Sequence, residues 1–117
     1  LDLPNKEFTI IESNNCIVHN NFCYIHNDIW LVKFTLNLEY VKSVRGNFRF
    51  TGIKLFNNKI IAGLIYDLDL NRLKNSADRY PIGTDKYRYG CNIKLNDGRE
   101  AFVHFLDNCQ FKVSFLN

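Results

Sequence analysis

The dipeptide Asp97-Gly98 stands between two runs of alternating apolar residues, and no other feature limits the fold as tightly. A two-residue hairpin loop needs positive φ at its centre, which Asp, Asn and Gly accept at little cost. The spacing therefore predicts antiparallel strands over 87–95 and 99–106, with a further strand at 110–116 after the turn at Asp107-Asn108. Asn57-Asn58 divides 53–56 from 59–68 in the same way. Nearer the start, Ser13-Asn14-Asn15 and Asn20-Asn21 separate short β-branched and aromatic runs at 8–11, 16–18 and 22–25. Residues 70–78 are polar and irregular and predict a loop or a helical turn.

The segment 27–43 carries two periods at once. Leu31, Phe34, Leu38 and Val41 lie on one helical face, with Asn27 or Asp28 placed as an N-cap. Trp30, Val32, Phe34, Leu36, Leu38 and Tyr40 also alternate with Lys33, Thr35, Asn37 and Glu39, as a half-buried strand would. The pattern alone does not choose between them.

The 117 residues are 46% hydrophobic, enough for one domain over 1–117 with a real core and too apolar for disorder. The longest apolar run, 60–66, falls well short of the roughly 18 to 20 residues that cross a bilayer, so a soluble chain without membrane contact is expected. It begins at Leu1 and contains no Met, which fits a secreted chain whose signal peptide has been removed. A net charge of +3 is too mild to imply nucleic acid by itself. There is no internal repeat, no linker and no Asn-x-Ser/Thr sequon.

Four cysteines, Cys16, Cys23, Cys91 and Cys109, divide two and two between the ends of the chain. Spacings of seven and eighteen lack the close pairs of a zinc site, so the expectation is disulfides, with free buried thiols as the alternative and no metal and no cofactor. A bridge between the two ends would close a loop of roughly 70 to 90 residues, for which chain entropy gives on the order of 4 kcal/mol. Three connectivities stay open.

His19, His26 and His104 are the only histidines, and none lies in a recognisable catalytic motif. Arg79, Lys86, Arg88, Lys94 and Arg99, interleaved with Tyr80, Tyr87 and Tyr89, offer a face on which RNA bases could stack and phosphates be held. Alternating cations and tyrosines are more commonly an ordinary solvated sheet edge, and that reading leads here.

Asp78-Arg79-Tyr80-Pro81-Ile82, the hairpin at 92–105 and Cys109 before a closing strand follow an order that resembles the small secreted fungal guanyl-specific ribonucleases. That resemblance implies an α+β fold, one helix packed on antiparallel β-sheets and stapled by disulfides. It turns 27–43 into the helix and makes a bridge from the N-terminal region to Cys109 the leading pairing. Such enzymes keep a base beside the aromatic-Pro pair, an Arg opening the next strand and a His near the end of the one after. Here Arg79 stands at the base, which a guanidinium cannot serve. Cys91 or Asn92 stands at the Arg, and Leu106 at the His, with His104 two residues earlier.

A ribonuclease-like scaffold without its catalytic residues is similar to the secreted effectors that powdery mildew fungi deliver into cereal cells. The resemblance implies a pseudo-ribonuclease, not an enzyme: an avirulence effector acting as a monomer in the host cell. Its partners would be host proteins and a plant immune receptor, with RNA as a further ligand. Two other classes compete. One is an active ribonuclease using His104 with Glu100 or Asp78. The other is a disulfide-stabilised inhibitor or adhesion module unrelated to ribonucleases, favoured if 27–43 is strand and the chain all-β.

Overall fold

The computed structural model describes residues 8–13, 16–48, 52–73, 90–106 and 110–116. Every regular element among them is a β-strand: β1 (Phe8–Ile11), β2 (Ile17–His19), β3 (Phe22–His26), β4 (Trp30–Thr35), β5 (Tyr40–Arg45), β6 (Lys54–Phe56), β7 (Lys59–Ala62), β8 (Leu64–Tyr66), β9 (Gly90–Leu95), β10 (Glu100–Phe105) and β11 (Phe111–Leu116). They form three antiparallel sheets: an outer sheet ordered β1-β9-β10-β11, a central sheet β2-β3-β4-β5 and a small sheet β6-β7-β8.

The layers follow from which way each strand's alternate residues point. Cys23, Ile25, Val32 and Phe34 of the central sheet meet Ile93, Leu95, Ala101, Val103 and Phe105 of the outer sheet in one core. Tyr24 and Leu31, from the opposite face of the same two strands, meet Ile60, Ala62 and Tyr66 of the small sheet in a second core. The central sheet is therefore covered on both sides, and four consecutive residues of β4, Leu31, Val32, Lys33 and Phe34, are all buried. Phe34 joins the layers, its ring centroid 5.0 Å from that of Phe111 on β11.

The turns form where local chemistry favours them. Asn20 and Asn21 have φ of 50° and 69°, and Asn57 and Asn58 of 50° and 60°, so each pair closes a hairpin with both central residues left-handed. Gly98, at φ 93°, closes the β9–β10 hairpin, and the Leu95 and Gly98 amides donate to Arg99 and Leu95 carbonyls. The predicted strand at 59–68 is broken in two by Gly63, also at positive φ. The Tyr80-Pro81-Ile82 motif and the first residues of the predicted strand at 87–95 lie outside the described residues.

The α+β expectation is overturned. Residues 27–43 hold β4 and most of β5, paired antiparallel with an irregularity between Lys33 and Phe34. No described residue is helical. Of the supposed helical face, Leu31 points to the second core, Phe34 and Leu38 to the first, and Val41 is exposed. The Asn27 cap is real but caps a turn: its Oδ1 accepts the Ile29 and Trp30 amides at 2.8 and 2.7 Å. An Asx oxygen meets N–H groups two and three residues on in both settings, so the same side chain suits either. The staple is absent too, for Cys16, Cys23 and Cys91 are free thiols. Cys109 lies outside the described residues.

Gly90 and Gly98 are glycine for different reasons. A Cβ on Gly90 would drive into the Val103 carbonyl oxygen on the paired strand, whereas one on Gly98 meets nothing. Gly90→Ala should cost about 3 kcal/mol by forcing the strands apart, and Gly98→Ala about 1 kcal/mol through positive φ alone. Urea unfolding of both variants measures the difference, and equal costs would contradict the close approach of β9 to β10.

Candidate functional site

The histidines do not assemble. His26 is buried on the second-core face of β3, 5.9 Å from the Phe48 ring, with Nδ1 2.9 Å from the Asn27 carbonyl. A carbonyl only accepts, so Nδ1 carries the proton. His104 lies on the far face of the outer sheet, edge-on to Phe102 at 4.6 Å. Two sheets separate it from His26. His19 ends β2, and its Nε2 is buried without a hydrogen-bond partner. Glu100 shares the outward face of β10 with His104, with Phe102 between them. Asp78 lies outside the described residues.

The proposed RNA face is described only at Lys94 and Arg99, since Arg79, Lys86, Tyr87 and Arg88 fall outside the described residues, as do Tyr80 and Tyr89. Lys94 is exposed on β9, directly across from Glu100. Arg99 is engaged: its Nε donates to Asp97 Oδ2 at 2.8 Å, and its guanidinium sits 5.0 Å from the Phe115 ring centroid. The Arg99 amide and guanidinium also hold the Asp97 carboxyl below the ordinary carboxylate range.

Sequence reasoning missed Lys33. It points into the second core at 7% exposure, its ammonium 4.2 Å from the Phe22 ring centroid and 5.7 Å from that of Tyr24. Nζ donates to the Leu68 carbonyl at 2.9 Å and lies 3.5 Å from Asp69 Oδ1. The Tyr24 hydroxyl donates to the same carbonyl at 2.8 Å. Burial and the nearby Asp69 and Asp67 push the Tyr24 phenol up to about 12, so it stays a donor throughout the neutral range. The turn is built by Asp67, whose Oδ1 accepts the Asp69 and Asn71 amides at 2.9 and 2.8 Å. The spacing Asp67-x-Asp69-x-Asn71 suggests a cation loop, and the cation it meets is Lys33 itself. Among the described residues no group of histidines, cysteines and carboxylates could hold a metal ion.

The second feature missed is the outer edge of β11, which no other strand among the described residues pairs. Phe111 and Val113 turn into the first core, whereas Phe115 and Leu116 are 42% and 48% exposed. The other edges are blunted. β2, β6 and β8 have three residues each, and the Val18 amide of β2 is taken by Glu12 Oε2 at 2.9 Å. β1 has four residues, and β5 is irregularly paired and carries Lys42 and Arg45. β11 has six residues in unbroken register with β10 and a single charge, Lys112. Only that low charge was there to be read in the sequence.

No family model, no curated protein and no solved structure matches this chain. The ribonuclease-like assignment, and with it the pseudo-ribonuclease and powdery mildew effector readings, is overturned. The required helix is a pair of strands, the described cysteines are unbonded, and no relationship supports the identification. The positions compared with a catalytic base, Arg and His lose that meaning with the fold.

The Leu68 carbonyl has two donors, so either can be lost more cheaply than both. Lys33→Met and Tyr24→Phe should each cost about 1 kcal/mol, and the double variant more than their sum, because the half-buried carbonyl then loses both of its donors. Denaturant unfolding of the four proteins checks this, and simple additivity would contradict the shared acceptor. At Asp67 a slight burial works against ionisation, but the Asn71 and Asp69 donors and Lys42 hold the carboxyl below its ordinary value. Its stabilising effect is present above the unfolded value of about 3.9 and lost as pH falls through the lower folded one. The stability gap between the wild type and Asp67→Asn should be constant above about pH 5 and shrink below about pH 4. A gap that widens on acidification would contradict this.

Proposed function

We propose that this chain is an all-β binding module that recognises another protein by taking an extended segment along the open edge of β11. The observation that carries this is the contrast among the edge strands. Shortness, charge, irregular pairing or a capped amide blunts each of the others, while β11 keeps six regular residues, one charge and exposed Phe115 and Leu116. An added strand gains main-chain hydrogen bonds, and alternate side chains supply selectivity. Phe115, held against Arg99, gives such a partner a rigid aromatic contact at the end of the strand. This reading belongs with the inhibitor or adhesion class that an all-β chain favours. RNA is the weaker alternative, because Arg99 is committed to Asp97 and Phe115, and Lys94 stands across from Glu100.

Selection of a displayed random-peptide library against the chain, followed by amide hydrogen exchange of the complexes, tests the proposal. The selected peptides should protect β11 amides and lose at least about tenfold in affinity for Phe115→Lys, the equivalent of 1.4 kcal/mol. Ligands that protect other strands, or that bind the variant equally, would overturn it.

A further inference from the structure

Three of the four cysteines converge in the core between the central and outer sheets. Cys16 and Cys23 are fully buried, and Cys91 is 1% exposed. Cys16 Sγ lies 3.5 Å from Cys23 Sγ, so these two sulfurs form the close pair within that core. Cys23 and Cys91 are fixed inside strands, paired across from Val18 and Val103. Cys16 is held differently. It precedes the three-residue edge strand β2, and its backbone is tied to Ser13 through two hydrogen bonds of 3.0 and 3.3 Å. A short edge strand opens more readily than the interior of a sheet, so Cys16 is the thiol that solvent reaches first.

We propose that Cys16 and Cys23 form a redox-responsive pair, oxidised to a disulfide by a low-molecular-weight disulfide. In the first step the Cys16 thiolate attacks oxidised glutathione, forming a mixed disulfide and releasing one glutathione thiolate. The Cys23 thiol then gives up its proton and attacks Cys16 Sγ, forming the Cys16–Cys23 disulfide and expelling the second glutathione. Two protein thiols are oxidised and one external disulfide is reduced to two thiols. The bond joins the residue before β2 to β3 within the central sheet.

The reduced chain is incubated with oxidised glutathione, remaining thiols are counted after denaturation, and unreduced peptides are mapped by mass spectrometry. The wild type should lose two of its four thiols and yield a Cys16–Cys23 cross-link. Cys23→Ser should stop at the mixed disulfide of Cys16, and Cys91→Ser should leave Cys16–Cys23 unchanged. Cys16→Ser should slow thiol loss at least tenfold. A wild type that keeps all four thiols, stops at the mixed disulfide, or cross-links mainly Cys23 with Cys91 or any cysteine with Cys109 would overturn the proposal. Should Cys16→Ser fail to fold, the wild-type and Cys91→Ser maps still decide it.

Discussion

A sheet covered on both faces has nowhere to put a polar side chain, and the central sheet of this protein lives under that constraint. Every residue from Leu31 to Phe34 is buried, so a strand that alternates inward and outward in most proteins here alternates between two interiors. Lys33 is the test of the arrangement. An ammonium taken out of water costs several kcal/mol unless it finds oxygens or aromatic faces. The Leu68 carbonyl, the Phe22 ring and Asp69 supply them. Because Leu68 follows β8, the need to satisfy Lys33 also anchors the end of the small sheet to the central one. The turn at Asp67 exists in the form it does because it must present that carbonyl to two donors at once.

Local features were legible and non-local ones were not. Asn20-Asn21, Asn57-Asn58 and Asp97-Gly98 all fall in hairpin turns, because the positive φ each turn needs, at both Asn residues of the first two and at Gly98 in the third, is a property of the immediate chain. For residues 27–43 the pattern leaves helix and strand open, and only the ribonuclease resemblance makes them a helix, because the choice depends on what covers each face. A strand buried on both sides leaves apolar residues at helical spacing as well as at alternating spacing. The ribonuclease resemblance failed for a related reason. A hairpin, a closing strand and a late cysteine are common to many antiparallel sheets, and they do not specify what lies on the other side of the core. The outer edge of β11 was out of reach too, since a strand is an edge only by virtue of the sheet order.

Both features argued to act, the β11 edge and the thiols around Cys16, depend on the outer sheet lying against the central one. Phe34 meets Phe111 across the core between them, and Cys16, Cys23 and Cys91 are buried in that same core. A chain in which 27–43 were helical would have neither.

Nuclear magnetic resonance of the labelled protein tests the two-sided central sheet most directly. Cross-strand contacts should link Ile25 with Val32, and Val32 with Ser43, while the amides of β3 and β4 exchange among the slowest in the chain. Contacts between residues three apart along 30–41, with no cross-strand partner, would mean a helix there and would contradict the account.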